Sequence, residues 1–133
     1  MIDEEPAVQV VELMLERNGE QPLSFHHEWM AAGIPAERVM VAAGLDLGKT
    51  PAQSALLLKH SDDLVALGFP VFLSASNKRF LGELVGTEVH DRREASLAAH
   101  ALCIARGGRI LRAHDVRGSR RVADVMAAIL SRT

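Results

Sequence analysis

The sequence predicts an α/β fold built on parallel strands, and three observations carry that expectation. Short apolar runs, "RVMVAAG", "PVFLSAS" and "RILRAHDV", recur at intervals of about 35 residues, each followed by a helical stretch. The runs are apolar on both faces, as parallel strands covered by helices must be. Each turns polar only at its C-terminal end, on the rim where parallel α/β folds bind their ligands.

The elements follow in order. Ala7 to Glu16, "AVQVVELMLE", has apolar residues at helical spacing and reads as an amphipathic helix. "RNGEQP" ends it, and Ser24 can cap a second short helix through "FHHEWMAAG", closed by Gly33. The first strand run comes next. "PAQSALLLKHSDDLVALG" reads as one helix with Pro51 at its start and Gly68 at its end. After the second run and a polar turn, "RREASLAAHALCIARGG" is the next helix, with Arg92 and Arg93 expected in solvent. The third run leads to "GSRRVADVMAAIL", where Ser119 is the expected N-cap. The expected organisation is a single unit, with a helical segment over 1–36 and three βα units over 37–133.

Composition excludes several functions. The 133 residues carry a formal net charge of −2, with 48% hydrophobic and 24% charged residues, the balance of an ordinary globular domain. That charge, with aromatics at 4%, gives no case for nucleic acid. No stretch reaches the roughly 18 apolar residues of a membrane span, and "MIDEEP" is the opposite of a basic leader. A cytoplasmic location is expected. The single cysteine, Cys103, sits in the apolar "ALCIA" and reads as a buried thiol. His26 and His27 are adjacent, so a helix would send them to different faces, a poor arrangement for a metal. His60 and His100 are expected on helix surfaces or boundaries, and His90 on a loop.

"AAGLDLGKT", Ala42 to Thr50, ends like a nucleotide-binding P-loop, yet Ala43 stands where the first Gly must be. The stretch therefore needs another explanation. The polar strand ends are Asp46 with Lys49, then Ser74, Ser76, Asn77 and Lys78, then Arg112, His114 and Asp115. Arg112 and His114 lie two apart, so a strand would project both to one face. Pointed into a barrel, that pair suits a bound anion, since Arg presents a planar fork of donors and the following helix start adds positive potential. A structural ion pair to Asp115 or another acid is the competing explanation. Lys78 would reach the same rim.

"AAGLDLGKT", "SASNKRFLGEL" and "RILRAHDV" together resemble the dihydropteroate synthase family, in order and spacing. The family patterns are similar: Asp-Pro-Gly-x-Gly-Phe-Gly-Lys, Ser-Arg-Lys-x-x-x-Gly and Arg-x-His-Asp-Val. The likeness runs from about Glu37 to Leu130. It implies a partial (β/α)8 TIM barrel: the C-terminal three βα units, strands six to eight, preceded by helices. It also implies the condensation of dihydropterin pyrophosphate with p-aminobenzoate, releasing pyrophosphate, with Mg²⁺. By resemblance Arg112 and His114 bind the pyrophosphate. Lys78 would hold the pterin and shape the p-aminobenzoate pocket, with Ser76 lining it and Leu47 in place of the family's Phe beside it. Gly-Lys-Thr then belongs to the loop after strand six.

The departures matter equally. Ala42 stands for the Asp that accepts hydrogen bonds from the pterin, Ala43 for Pro, Asp46 for Gly and Asn77 for Arg. Buried pterin donors facing Ala42 would lack an acceptor, at about 1–3 kcal/mol each. Ser-Asn-Lys resembles a paralogous actinobacterial branch of doubtful competence. With the earlier strands go the Asn region of the family's metal and pyrophosphate site. Three strands cannot close a barrel, so the expectation is a chain inactive alone: a fragment, half of a split barrel, or a non-catalytic assembly module. It would associate with copies of itself or with a partner supplying the missing strands.

Overall fold

The computed structural model describes residues 9–12, as backbone, and 32–131. The described residues contain four short strands: β1 (Gln9–Glu12), β2 (Val39–Ala42), β3 (Phe72–Leu73) and β4 (Ile110–Leu111). β1 pairs in parallel with β2, Gln9 opposite Val39 and Glu12 opposite Ala42. A parallel bridge between Val41 and Val71 joins β2 to β3, and β3 pairs in parallel with β4. The strands thus form one parallel arc in chain order, the α/β architecture expected.

The first of them corrects the reading of 7–16 as a helix. Within "AVQVVELMLE" the stretch Gln9–Glu12 is a strand; Val10 and Val11 are β-branched, and the neighbouring ladder of β2 decides the matter over a periodicity that fits either state. The expected second helix from Ser24, and with it His26 and His27, lies outside the described residues.

Helices cover the arc. α1 (Pro51–Lys59) and α2 (Ser61–Val65) follow β2, α3 (Arg79–Val85) and α4 (Arg93–Ala105) follow β3, and α5 (Val116–Leu130) follows β4. The single helix expected over 51–68 is broken at His60, whose ψ of 30° leaves the helical range. Ser61 Oγ donates back to Leu58 O there, a side-chain bond that competes with the helical ladder. The seven-residue α3 lies in a stretch read as a polar turn, and it ends at Gly86 in the left-handed conformation (φ 71°). α5 starts earlier than expected because Asp115, not Ser119, is its cap: the Asp115 carboxylate accepts from Gly118 N–H at 2.9 Å.

The core lies between the arc and its helices. Val39 and Val41 of β2, Val71 and Leu73 around β3, Leu57 and Leu64 from α1 and α2, Phe80 from α3, and Ala99 and Cys103 from α4 form one buried cluster. Burying a side chain of this kind contributes roughly 1.5–3 kcal/mol, so the cluster sets the rim from which the loops rise. Among the described residues no helix is long and apolar enough to cross a membrane.

Candidate anion site at the strand ends

The loop after β2 explains the Gly-Lys-Thr stretch. Gly48 takes a positive φ of 64°, which glycine adopts without steric cost. Lys49 Nζ folds back onto Gly44 O at 2.8 Å and Leu47 O at 3.0 Å. Thr50 caps α1: its hydroxyl accepts from Gln53 N–H while the Gln53 side chain accepts from Thr50 N–H. Each residue serves the loop itself.

Two further bonds stitch this loop to the one after β3. Lys78 Nζ donates to Leu45 O at 2.7 Å. Phe80 N–H, in the first turn of α3, points at the Asp46 carboxylate, 3.3 and 3.4 Å from its two oxygens. Asp46 holds a left-handed backbone (φ 67°), the conformation that suits the Gly of the family pattern, and its N–H donates to the buried Ser54 Oγ at 2.9 Å. Asn77, also left-handed (φ 58°), donates its N–H to Ser96 Oγ and accepts at its carbonyl from Arg92 Nη1. Arg92 is therefore tied down, where solvent was expected.

The expected site residues divide between two hollows. Leu47, Lys78 and Arg112 line a cavity of about 540 Å³, together with Ala42, Leu45 and Ser74. Ser76 and His114 line a second, polar hollow of about 270 Å³ beside Asn77, His90, Arg93 and Asp115. Arg112 and His114, expected on one face, thus serve different hollows. The reason is local: β4 ends at Leu111, so strand alternation does not extend over 112–114. His114 is instead drawn to Ser76, whose Oγ accepts from His114 N–H at 3.1 Å and lies 2.8 Å from His114 Nδ1.

Asp115, offered by the sequence as a partner for Arg112 or His114, pairs with Arg93 at 2.7 Å. The Gly118 N–H and the Arg93 guanidinium hold its carboxyl below the ordinary carboxylate range. Arg93 is thus also paired. His100, expected near the surface, is fully buried. Its Nδ1 lies 2.9 Å from Ser119 Oγ, its Nε2 has no hydrogen-bond partner among the described residues, and burial lowers its pKa. Cys103 is buried as expected. Among the described residues no group of three or more His, Cys, Asp or Glu side chains converges.

Lys78 and Arg112, from the loops that follow the neighbouring strands β3 and β4, line one mostly apolar cavity. Comparison with known proteins gives the family of the chain. Residues 7–114 match the family described as pterin binding enzyme, and the chain belongs to that family. It is 42% identical over 100 residues to the protein named inactive dihydropteroate synthase 2 of Mycobacterium tuberculosis, covering 75% of this chain and 31% of that protein. It is 37% identical over 103 residues to the dihydropteroate synthase of Neisseria meningitidis, covering 76% of this chain and 35% of the relative. The chain thus spans about a third of the length of these curated relatives. The crystal structure of Xanthomonas albilineans dihydropteroate synthase in complex with 7,8-dihydropteroate superposes with a TM-score of 0.77 at 32% identity, over 93% of this chain and 52% of that one.

Proposed function

We propose that this chain is the C-terminal portion of a dihydropteroate-synthase-like barrel, with β2, β3 and β4 as strands six to eight and β1 as the strand before them. In this reading Arg112 and Lys78 bind the anionic leaving group of a pterin-type substrate, Leu47 covers its body, and His114 with Ser76 forms the adjoining wall. The observation that carries it is the delivery of Lys78 and Arg112 to one cavity from adjacent strand ends. A guanidinium and an ammonium there favour charge that develops on a departing diphosphate. Mg²⁺ would arrive as a complex with that diphosphate. Alone, the chain would bind but not condense substrates, because Ala42 offers no acceptor to a pterin and the relative of highest similarity quoted above is itself named inactive.

A second reading, a non-catalytic assembly module, is supported by α5. Val125, Ile129 and Leu130 are each more than half exposed there, an apolar surface suited to a partner chain or a second copy.

Two measurements test the proposal together. Supplied with dihydropterin pyrophosphate, p-aminobenzoate and Mg²⁺, the chain is expected to release no pyrophosphate. In calorimetry it is expected to bind pyrophosphate, about tenfold or more weakly after Arg112→Ala, the loss of a charge-assisted contact. Equal binding by both proteins would remove Arg112 from the site.

A further inference from the structure

The turn that presents Lys78 is held from the start of α4. Lys78 N–H donates to Ala75 O at 3.1 Å and closes that turn. Asn77, its third residue, has φ 58°, the left-handed backbone that Asn tolerates better than most residues. Both polar groups of the Asn77 backbone are bonded. Its N–H donates to Ser96 Oγ at 2.9 Å, and its carbonyl, bonded to Lys78 N, accepts from Arg92 Nη1 at 3.0 Å. Ser96 is buried and its hydroxyl donates to Arg92 O at 2.6 Å, so the two grips brace each other. Arg92 reaches the carbonyl past α3 at Gly82, the Gly of the pattern Ser-x-Lys-x-x-x-Gly that runs from Ser76. A Cβ there would overlap Arg92 Nε and Thr87 O. The motif's glycine thus leaves room for the arginine, and its lysine is what the arginine braces.

We propose that Arg92 is a positioning residue for anion binding: it fixes the Asn77 turn, and through it the place from which Lys78 enters the cavity shared with Arg112. Arg92 itself is not part of that cavity's lining. A lysine ammonium rides on a flexible four-carbon stem, so its position depends on how firmly its own backbone is held. On the other flank the Asp46 carboxylate faces Phe80 N–H, and Lys78 lies between the two supports. The proposal rests on the anion-site reading above and assigns it a cation that works without touching the ligand.

Calorimetry with inorganic pyrophosphate on the full chain tests this by a double-mutant cycle. Arg92→Ala is expected to weaken pyrophosphate about three- to tenfold, the equivalent of one hydrogen bond. In a Lys78→Ala background the same change is expected to alter binding less than about twofold, because no ammonium is left to place. Loss of a distant positive charge, or a general loosening of the fold, would weaken binding equally in both backgrounds. Arg92→Lys keeps a donor for the Asn77 carbonyl and is expected to recover part of the affinity. Ser96→Ala removes the other grip and is expected to repeat the Arg92→Ala pattern, which covers the case in which Arg92→Ala fails to fold. Amide exchange at Lys78 reads the turn without ligand and is expected to quicken in both variants. Equal weakening in the two backgrounds, or exchange at Lys78 unchanged by Arg92→Ala, overturns the proposal. If the unaltered chain binds no pyrophosphate, the anion-site reading falls; quickened exchange with pyrophosphate binding unchanged removes the positioning role alone.

Discussion

Asp46 joins the two loops that carry the cavity, and its replacement series separates two effects of opposite sign. Its carboxylate accepts a long bond from Phe80 N–H, at 3.3 and 3.4 Å. Hydrogen bonds to charged groups contribute about 1.5–3 kcal/mol, and this length on a half-buried residue places it near 1 kcal/mol. The backbone at φ 67° costs an ordinary L-residue roughly 1–2 kcal/mol, less for Asp or Asn and nothing for Gly. Asp46→Ala loses the bond and incurs the full backbone cost, about 2 kcal/mol together. Asp46→Gly loses the bond but relieves the backbone, leaving a change within about 1 kcal/mol. Asp46→Asn keeps an acceptor and a tolerated conformation, and moves least. At roughly 3–6 °C per kcal/mol for a chain of this size, Ala is expected to lower the melting temperature by about 6–12 °C, with Gly between Ala and Asn. Amide exchange at Phe80 reads the bond directly and is expected to quicken in Ala and Gly but not in Asn. Equal melting of Ala and Gly would refute the backbone contribution; unchanged exchange at Phe80 in both would refute the bond.

Four other expectations concern the helical layer. Burial lowers the His100 pKa, so the unfolded chain takes up a proton near the ordinary 6.5 before the folded chain does. Stability is then level above about pH 7 and falls as pH drops below about 6.5; denaturant midpoints are expected to show that fall, reduced in His100→Gln. Asp115, held low, acts in a separate window, its contribution lost only under acid conditions as pH falls through its folded value. Burial pushes the Cys103 thiol up to about 11, so at pH 8 a disulfide reagent is expected to react only as fast as the chain unfolds. A Cβ at Gly108 would overlap Cys103 Sγ; Gly108→Ala is expected to cost about 1–3 kcal/mol in thermal melts, with partial recovery when Cys103→Ala is added.

The parts of the fold legible in the sequence were those decided locally. β2, β3 and β4 lie within the three apolar runs, because bounded β-rich runs between helices leave few alternatives. β1 was not legible: Val10 and Val11 suit a strand, the wider spacing suits a helix, and only pairing with β2 decides. Among the rim residues, sequence brought Lys78, Arg112 and Leu47 to one cavity. His114 went elsewhere because where β4 stops depends on its partner strand, and strand alternation was carried three residues too far. The Asp46–Phe80 bond spans 34 residues, beyond any local pattern, although the positive φ was foreshadowed by the Gly that the family pattern places there.

A crystal structure of the chain soaked in pyrophosphate tests the central claim most directly. The expected result is a diphosphate touching the Arg112 guanidinium and the Lys78 ammonium above Ala42. A diphosphate seated instead against His114, Ser76 and Asn77 in the neighbouring hollow would contradict it.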